Sequence, residues 1–344
     1  MKALIKKGKG PENLSLGETG IPKVREDEVL IKVKAGAICG SDIHVMHDRY
    51  ASTIPVVMGH EFSGVIEEVG ARVNGWGKGD PVIAEGNIET CGTCFYCKTG
   101  ISHVCRDKKF LGINVDGCFA EYVKIPARLL HQMPEGLSFE EASLAEPSAV
   151  GIHALTEDNH VEVGDFVVIL GIGPIGLLAA QTARAVGAGK IVITGIEPDV
   201  PVRFKAANDL AVCDYIVNAD KEDPVKVVRE ATGGRGADLV LDTTGSSHGI
   251  EQGIEMVRRK GVFAAIGIGA EVVKVPWNRL INEVIRIQFC RSYTYSTFEK
   301  FCSLIALGQL NLKPLITQQY PLKEWERGFQ SLEKRESVKT LLIP

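Results

Sequence analysis

Apolar and polar residues follow two different patterns along the chain, and the change comes near Val150. In the first part, the stretch EVLIKVKAGAI alternates apolar and polar residues from Val29 to Ala35, as a half-buried strand does. Three more short strand candidates, SGVIEEVG, DPVIAEG and AEYVKIP, are bounded by Gly, Pro and Asp. This part is therefore predicted to be mainly β and rich in loops.

The second part alternates strands with helices. The continuous apolar strand DFVVIL is followed by a glycine-rich turn and a helical stretch from about Pro174 to Val186. Four further strand candidates are KIVITGI, DYIV, ADLVLDTT and GVFAAIG. Helical patterns separate them near Val202–Leu210, Pro224–Ala231 and Gly249–Arg258. This alternation predicts βαβ units and a parallel sheet.

The alternation ends after about Arg286. A helix near Thr297–Leu307, another near Leu322–Glu333 and a final strand, VKTLLIP, are predicted there. These elements could return to the first domain, with the α/β unit inserted between. The predicted domains are residues 1–150, residues 151–286 and a returning segment, 287–344.

Length and composition agree with a soluble protein of two domains. The 344 residues are 45% apolar and 24% charged, with a net charge of -4. No basic cluster indicates a nucleic-acid or membrane-surface partner. The longest apolar run, Phe166 to Ala180, is too short to span a membrane and is broken by Gly and Pro. The N-terminus lacks the apolar core of a signal peptide, so we expect a cytoplasmic protein.

A glycine motif, LGIGPIG, lies directly after a strand and opens a helix. Gly171, Gly173 and Gly176 would permit a tight turn, backbone approach to a pyrophosphate, and close packing of helix on strand. A glycine-rich turn alone would be weak evidence, but the strand, the helix and the further βα units predict dinucleotide binding. The predicted cofactor contacts of this domain include Pro174, Ile175 and Gly267 as well.

Four of the nine cysteines crowd into the stretch CGTCFYCKTGISHVC. They are Cys91, Cys94, Cys97 and Cys105, with the spacing C-x2-C-x2-C-x7-C. In a reducing compartment such a cluster favours metal over disulfides. Four thiolates can close a tetrahedral zinc site with no open position, which is a structural site. An iron–sulfur cluster takes the same ligands, and a redox dithiol or a disulfide knot are further alternatives.

A third group combines a thiolate, an imidazole and carboxylates. Cys39 lies about twenty residues before His60 and Glu61, and such donors suit a zinc ion with an exchangeable position. Asp42 could hold the free ring nitrogen of His60. Glu146 is another carboxylate, just before the predicted domain junction. Taken alone, His60 would be a core histidine with a hydrogen-bond partner, but the neighbouring motifs favour a metal ligand.

Together these motifs resemble the zinc-containing medium-chain alcohol dehydrogenases over essentially the full length. The family pattern GHE-x2-G-x5-G-x2-V is met by Gly59, His60, Glu61, Gly64, Gly70 and Val73. CGSDIH and EPSAVGIHA are most similar to the sorbitol- and butanediol-type polyol dehydrogenases, and GCFAEYVKIP is similar to threonine dehydrogenases. The resemblance implies an α/β fold with a Rossmann dinucleotide-binding domain and a mainly-β GroES-like catalytic domain. Its zinc lobe would lie at about residues 88–108.

The resemblance also implies roles for individual residues. Cys39 and His60 would be catalytic zinc ligands, and Glu61 would coordinate the metal directly or intermittently. Glu146 would bind the metal or hydrogen-bond its water, and Ser41 and His44 match the family's proton-relay positions. The expected reaction is reversible oxidation of a secondary alcohol, a polyol or sugar alcohol, to a ketone. Zinc would lower the pKa of the hydroxyl, and the hydride would pass to the nicotinamide.

Other functions stay open at this point. Threonine or a sugar phosphate could be the substrate. A zinc-free reductase of the same superfamily generally lacks the cysteine lobe, and a non-enzymatic scaffold protein would be expected to lose a metal ligand. The resemblance further suggests a homodimer or homotetramer that acts on a small-molecule alcohol.

The choice between NAD and NADP depends on the end of the second Rossmann strand, KIVITGIEPDVPVRF. Gly195 occupies the place of the usual ribose-binding acid, and Glu197 and Asp199 follow closely. Arg203 could swing onto a 2′-phosphate instead. We expect NAD, because the two acids are nearer, with NADP as the alternative. Arg291 is expected near substrate and cofactor, as in polyol dehydrogenases.

Overall fold

The computed structural model describes residues 1–269 and 272–344, and its contacts divide the chain into two compact units. The first unit comprises Met1–Glu146, Thr294–Ala306 and Leu315–Pro344. The second comprises Pro147–Tyr293 and Leu307–Pro314. The chain therefore leaves the first unit and later returns to it.

Short strands dominate the first 146 residues. The strands are β1 (Lys2–Lys6), β2 (Leu14–Glu18), β3 (Glu28–Ala37), β4 (Val56–Val57), β5 (Glu61–Val69), β6 (Pro81–Ala84), β7 (Asn87–Glu89), β8 (Lys109–Phe110), β9 (Tyr122–Pro126) and β10 (Leu130–Gln132). The helices are α1 (Gly40–Met46), α2 (Phe95–Lys98), α3 (Phe139–Ala142) and α4 (Ala145–Thr156), the last of which continues into the second unit.

Strands and helices then alternate, as the sequence predicts. The strands are β11 (Phe166–Leu170), β12 (Lys190–Gly195), β13 (Tyr215–Asn218), β14 (Ala237–Asp242), β15 (Val257–Ala265) and β16 (Arg286–Phe289). The helices are α5 (Pro174–Ala185), α6 (Lys205–Leu210), α7 (Pro224–Ala231), α8 (Ser247–Met256) and α9 (Trp277–Asn282). The remaining elements are α10 (Tyr295–Ala306), β17 (Ile316–Pro321), α11 (Trp325–Glu333) and β18 (Lys339–Ile343).

The largest sheet of the first unit has seven strands. Its order is β10-β6-β5-β3-β18-β17, and β9 also pairs with β3. The predicted strand around Val29 is thus the central β3, whose apolar side chains are buried. Leu322, Phe329 and Leu342 of the returning segment belong to the same hydrophobic core as Val29 and Ile31. Burial of these apolar side chains joins the returning segment to the first unit.

The second unit contains a parallel sheet of six strands in the order β13-β12-β11-β14-β15-β16. β11 and β14, at its centre, are buried at every position, which explains the unbroken apolar run of β11 and the apolar stretch Leu239–Leu241 of β14. β16 (Arg286–Phe289), which adds a sixth strand at the point where the alternation is predicted to end, is not among the strands predicted from the sequence. This strand is short and lies at the sheet edge, and none of its side chains is fully buried, so its apolar pattern is weak.

Helix starts in this unit follow local chemistry. Pro174 and Pro224 each occupy the first turn of their helix, where a missing N–H costs nothing. Asp223 caps α7 by accepting a hydrogen bond from Val225 N at 2.9 Å. The helix predicted from Val202 begins as a π-helical turn, and α6 itself begins at Lys205.

No helix in the described part of the chain is long and apolar enough to cross a membrane.

Candidate active site

Strand pairing brings the predicted ligands of the catalytic metal together. β3 and β5 run antiparallel with Ala37 opposite Glu61, so the chain that leaves β3 passes the start of β5. Cys39 is the N-cap residue of α1, and His60 directly precedes β5. One donor atom each from Cys39, His60 and Glu61 lies within 4.8 Å of the others.

Buried polar atoms surround this group of three residues. Asp42 Oδ1, His60 Nδ1 and Glu61 Oε1 have no hydrogen-bond partner among the described residues. Asp42 Oδ1 faces His60 Nδ1 at 3.5 Å, and its other oxygen accepts a hydrogen bond from Cys39 N at 2.9 Å. Burial disfavours the charged form of His60, yet the charge of Asp42 raises its pKa well above the ordinary value. An unsatisfied carboxylate oxygen in such a site is costly unless a cation or donor approaches it.

A buried lysine accompanies Glu61. Lys339, the first residue of β18, donates from Nζ to Glu61 Oε2 and to Ile38 O, the latter at 3.1 Å. Both side chains of the ion pair are buried. Burial lowers the pKa of Lys339, but the charge of Glu61 prevails and raises it, so Lys339 is positively charged at neutral pH.

The proton-relay candidates lie on α1. Ser41 Oγ is 3.4 Å from His60 Nε2. His44 is three residues further along the same helix, a spacing that places both side chains on one face. Burial, and then the charges of Arg49 and His47, lower the pKa of His44. His44 is therefore mainly neutral at pH 7 and able to accept a proton.

Glu146 acts electrostatically on the buried Lys339 but is not one of the three residues whose donor atoms lie together. It is in the first turn of α4, and its side chain is buried. Its charge contributes to the raised pKa values of Lys339 and Cys118. At this site, the donor atoms that lie within 4.8 Å of one another are those of Cys39, His60 and Glu61, without Glu146.

The four clustered cysteines form a second metal-ligand group. Their sulfur atoms are separated by 3.5 Å (Cys94 to Cys97), 3.7 Å (Cys105 to Cys91) and 3.9 Å (Cys91 to Cys97, Cys94 to Cys105). A disulfide needs about 2.05 Å, and all four thiols are free. A tetrahedron of sulfurs about 2.3 Å from zinc has edges of about 3.8 Å, so the group has the dimensions of a structural zinc site.

The glycine motif lies at the carboxyl end of β11. Gly171 has a φ of 104°, and Gly176 is so near that a Cβ there would lie 1.9 Å from Gly171 O. Gly173, the N-cap of α5, differs, because a Cβ there would meet nothing within 4 Å. The helix N-terminus thus borders open space suited to a pyrophosphate. Gly267 also packs closely, since a Cβ there would lie 2.1 Å from Gly245 N.

The acidic residues after β12 have different environments. Asp199 is buried, caps its own turn through Ile196 N and pairs with Arg203 Nη1 at 3.0 Å. Arg203 is therefore held in a buried ion pair. Glu197 is half-exposed at the carboxyl edge of the sheet, and hydrogen bonds from Lys221 and Asn218 lower its pKa. Glu197 is thus an ionised acid that is accessible at this edge. Arg291, which was expected near substrate and cofactor, is an exposed residue of the same unit.

Two family models match this chain. The alcohol dehydrogenase GroES-like domain matches residues 25–135, and the zinc-binding dehydrogenase model matches residues 174–306. A sorbitol dehydrogenase of Halalkalibacterium halodurans is 37% identical over 100% of this chain and 99% of its own. The chain belongs to the zinc-binding dehydrogenases.

Other zinc-binding dehydrogenases are similarly related. An L-threonine 3-dehydrogenase of Bacillus subtilis is 38% identical over 100% of this chain and 99% of its own. A crystal structure from Sinorhizobium meliloti, described as a zinc-binding dehydrogenase bound to NADP, has a TM-score of 0.91. It is 28% identical and covers 100% of this chain and 99% of its own. The predicted family, fold class and enzyme class are therefore confirmed, with zinc and a nicotinamide dinucleotide as cofactors.

The donor atoms of this zinc-binding dehydrogenase fit two zinc ions. Four sulfurs at tetrahedral separations suit a closed site, whereas a thiolate, an imidazole and a carboxylate with an unsatisfied oxygen suit an open one. The role of each ligand, and of Ser41, His44 and Glu146, remains a prediction.

Sequence reasoning missed several residues of the site. Lys339 is one, although a lysine within the apolar run VKTLLIP was a visible signal. Phe110 is another, with its ring centroid 5.2 Å from that of His60. Asn218 and Lys221, which bind Glu197, carry no local signal because they belong to the neighbouring strand and its loop.

Proposed function

We propose that this zinc-binding dehydrogenase oxidises a polyol, or another secondary alcohol with a neighbouring hydroxyl, to a ketone with NAD as the preferred oxidant. Cys39, His60 and Glu61 would hold the catalytic zinc, and the cysteine lobe the structural one. When bound, zinc supplies a Lewis acid that lowers the pKa of a hydroxyl, and the nicotinamide accepts a hydride.

The observation that carries the polyol assignment is the second buried carboxylate, Glu146. Glu146 is buried, as Glu61 is, and its charge also acts, more weakly than that of Glu61, on Lys339. A vicinal diol has a second hydroxyl that can donate to such a group, whereas a simple alcohol has none. The similarity to a sorbitol dehydrogenase supports the same substrate class.

A proton path along α1 supports alcohol oxidation. Ser41 Oγ, next to His60 Nε2, can accept the proton that the substrate hydroxyl loses. His44 can then receive it from Ser41 and release it to solvent, because it is mainly neutral at pH 7 and only half-buried. Ser41→Ala should lower kcat by roughly 100-fold or more, the usual value of a positioned acid–base group, and Ser41→Thr should retain part of it.

The substrate is tested by steady-state kinetics on a panel of sorbitol, 2,3-butanediol, L-threonine and a sugar-alcohol phosphate, each with NAD and with NADP. We expect the highest kcat/KM for a neutral polyol with NAD. L-threonine is the specific rival, since a threonine dehydrogenase is equally similar to this chain. A higher kcat/KM for threonine than for every polyol would refute the polyol assignment.

We also infer a homo-oligomer. Large apolar side chains are exposed on and around α9 and β16, namely those of Ile268, Val272, Trp277, Ile281, Val284 and Phe289. β16 ends the sheet, and its outer edge pairs with no other strand of the described residues. A twofold axis can pair such an edge with its own copy and cover the apolar surface on both copies. A cytoplasmic location stays an expectation from the sequence.

A further inference from the structure

An exposed ion pair, Glu197 with Lys221, lies at the carboxyl end of the Rossmann sheet. Lys221 Nζ lies 2.9 Å from the carboxylate of Glu197, and both side chains are more than half exposed. Exposed ion pairs contribute little to stability. The position of this one, however, is the edge where a Rossmann fold binds the adenosine ribose.

The backbone register explains how the pair forms. β12 and β13 are neighbouring parallel strands with Gly195 opposite Asn218, so both chains leave the sheet at the same level. Glu197 follows the first strand by two residues and Lys221 follows the second by three. Two charges of opposite sign therefore emerge side by side at the carboxyl edge.

Asn218 holds the carboxylate of Glu197 in position. Its Nδ2 donates to Glu197 Oε2 at 2.6 Å, while its Oδ1 accepts from Asp220 N at 3.1 Å. Asp220 Oδ2 in turn accepts from Glu197 N at 2.8 Å. Asn218 is buried, so its amide is held in place and orients the more exposed Glu197.

Arg203, the other basic residue near this edge, already has a buried ion-pair partner. Arg203 is buried and pairs with Asp199, which is also buried. Moving its guanidinium to a ribose phosphate would leave a buried carboxylate without this partner, which is costly. Lys221 needs no such rearrangement, because its ammonium group is already at the exposed edge.

We propose that the Glu197–Lys221 pair selects the cofactor: Glu197 accepts from the ribose hydroxyls of NAD and repels a 2′-phosphate, while Lys221 is a phosphate-binding group that Glu197 masks. A carboxylate accepts hydrogen bonds from two vicinal hydroxyls but faces a charge of about −2 on a phosphate ester. Removal of the carboxylate charge frees Lys221 for the phosphate. This inference rests on the NAD preference proposed above and names the residues that produce it.

The test measures binding of NADH and NADPH by isothermal titration calorimetry, without any alcohol. In the unsubstituted enzyme we expect NADH to bind at least tenfold more tightly than NADPH. In Glu197→Gln the order should reverse, with NADPH at least tenfold the tighter ligand. In the double variant Glu197→Gln/Lys221→Met, the gain in NADPH affinity should disappear.

A matched control is Glu197→Gln/Lys205→Met. Lys205 is likewise an exposed lysine of this unit, and it pairs with a carboxylate, Asp209, at 2.5 Å. This double variant should keep the full gain in NADPH affinity. If Lys221→Met leaves the gain intact, or Lys205→Met removes it equally, the role of Lys221 is refuted.

Failure of the proposed function gives a different result. A preference of the unsubstituted enzyme for NADPH would overturn both the NAD assignment and the repulsion by Glu197. Slow turnover of every polyol would overturn the substrate assignment alone, because the calorimetric experiment contains no alcohol.

Discussion

At the residue scale, Lys339 and Glu61 form a buried ion pair that joins β18 to the first residue of β5. Both side chains are almost fully buried, and Glu61 is a predicted metal ligand. Desolvation makes such a pair a weak source of net stability, but loss of one partner leaves the other as an uncompensated buried charge. Lys339 thus places a positive charge directly against Glu61, one of the three predicted ligands of the catalytic metal.

Lys339→Met should therefore destabilise the zinc-depleted protein by roughly 3–5 kcal/mol. The measurement is urea unfolding of both proteins after chelation of the metal. Lys124→Met is the matched control, since Lys124 pairs with Glu28 at 3.1 Å and is about one third exposed. That change should cost less than about 1 kcal/mol. Equal effects of the two substitutions would contradict the special position of Lys339.

His44 permits a prediction about pH. Burial and the charges of Arg49 and His47 lower its pKa, so the neutral form persists further into acid. Arg49→Met removes one positive charge and should raise the pKa of His44, which moves the acid limb of kcat/KM to higher pH. The shift should shrink at high salt, because Arg49 is exposed and its charge is screened. Arg25→Met, a change at another exposed arginine of the first unit, should leave the profile unchanged.

The sequence indicated part of this site and not the rest, for a physical reason. Cys39, His60 and Glu61 stand out because their donor chemistry and motif spacing are local. Lys339 joins them through two strand pairings, β18 with β3 and β3 with β5, across 278 residues. No local pattern encodes such a register, so the lysine in VKTLLIP was visible while its partner was not.

At the scale of elements, the cysteine lobe was predicted from the sequence, whereas the edge strand β16 was missed. The lobe was predicted from spacing alone, because four thiolates within fifteen positions have few other uses in a reducing compartment. Buried strands such as β11 were recognised by their unbroken apolar runs. β16 was missed because an edge strand needs no such run, and hydrogen bonds to β15 define it instead.

Cys94→Ser should remove the lobe's metal and separate stability from chemistry. Structural zinc contributes folding free energy directly, so the melting temperature should fall while folded molecules retain most turnover. His60→Ala should have the opposite effect: turnover should be lost, while the melting temperature should change little. Metal analysis should give two zinc ions per chain in the unsubstituted protein and one in each variant. Cys302→Ser, which changes a cysteine of α10 outside the lobe, should lose neither metal nor stability. Iron in place of zinc in the unsubstituted protein would overturn the assignment of the lobe as a zinc site.

At the scale of the whole molecule, the exposed apolar surface of α9 and β16 is the one through which we propose that copies of the chain assemble. Trp277→Glu places a charge in the middle of that surface and should shift the protein to a smaller species in light scattering coupled to gel filtration. Val163→Glu, which changes an exposed apolar residue elsewhere in the second unit, should leave the mass unchanged. A monomeric unsubstituted protein would contradict assembly through this surface.

The return of the chain to its first unit sets an order of events during synthesis on the ribosome. All four cysteines of the lobe are made within fifteen positions of one another, so their metal site can close while the second unit is still untranslated. Glu61 must wait for Lys339, which is 278 residues away. The nascent chain therefore exposes a buried-site carboxylate without its counter-ion until nearly the whole sequence has been translated. The two metals of one enzyme would then be acquired at different times, the structural ion first and the catalytic ion last.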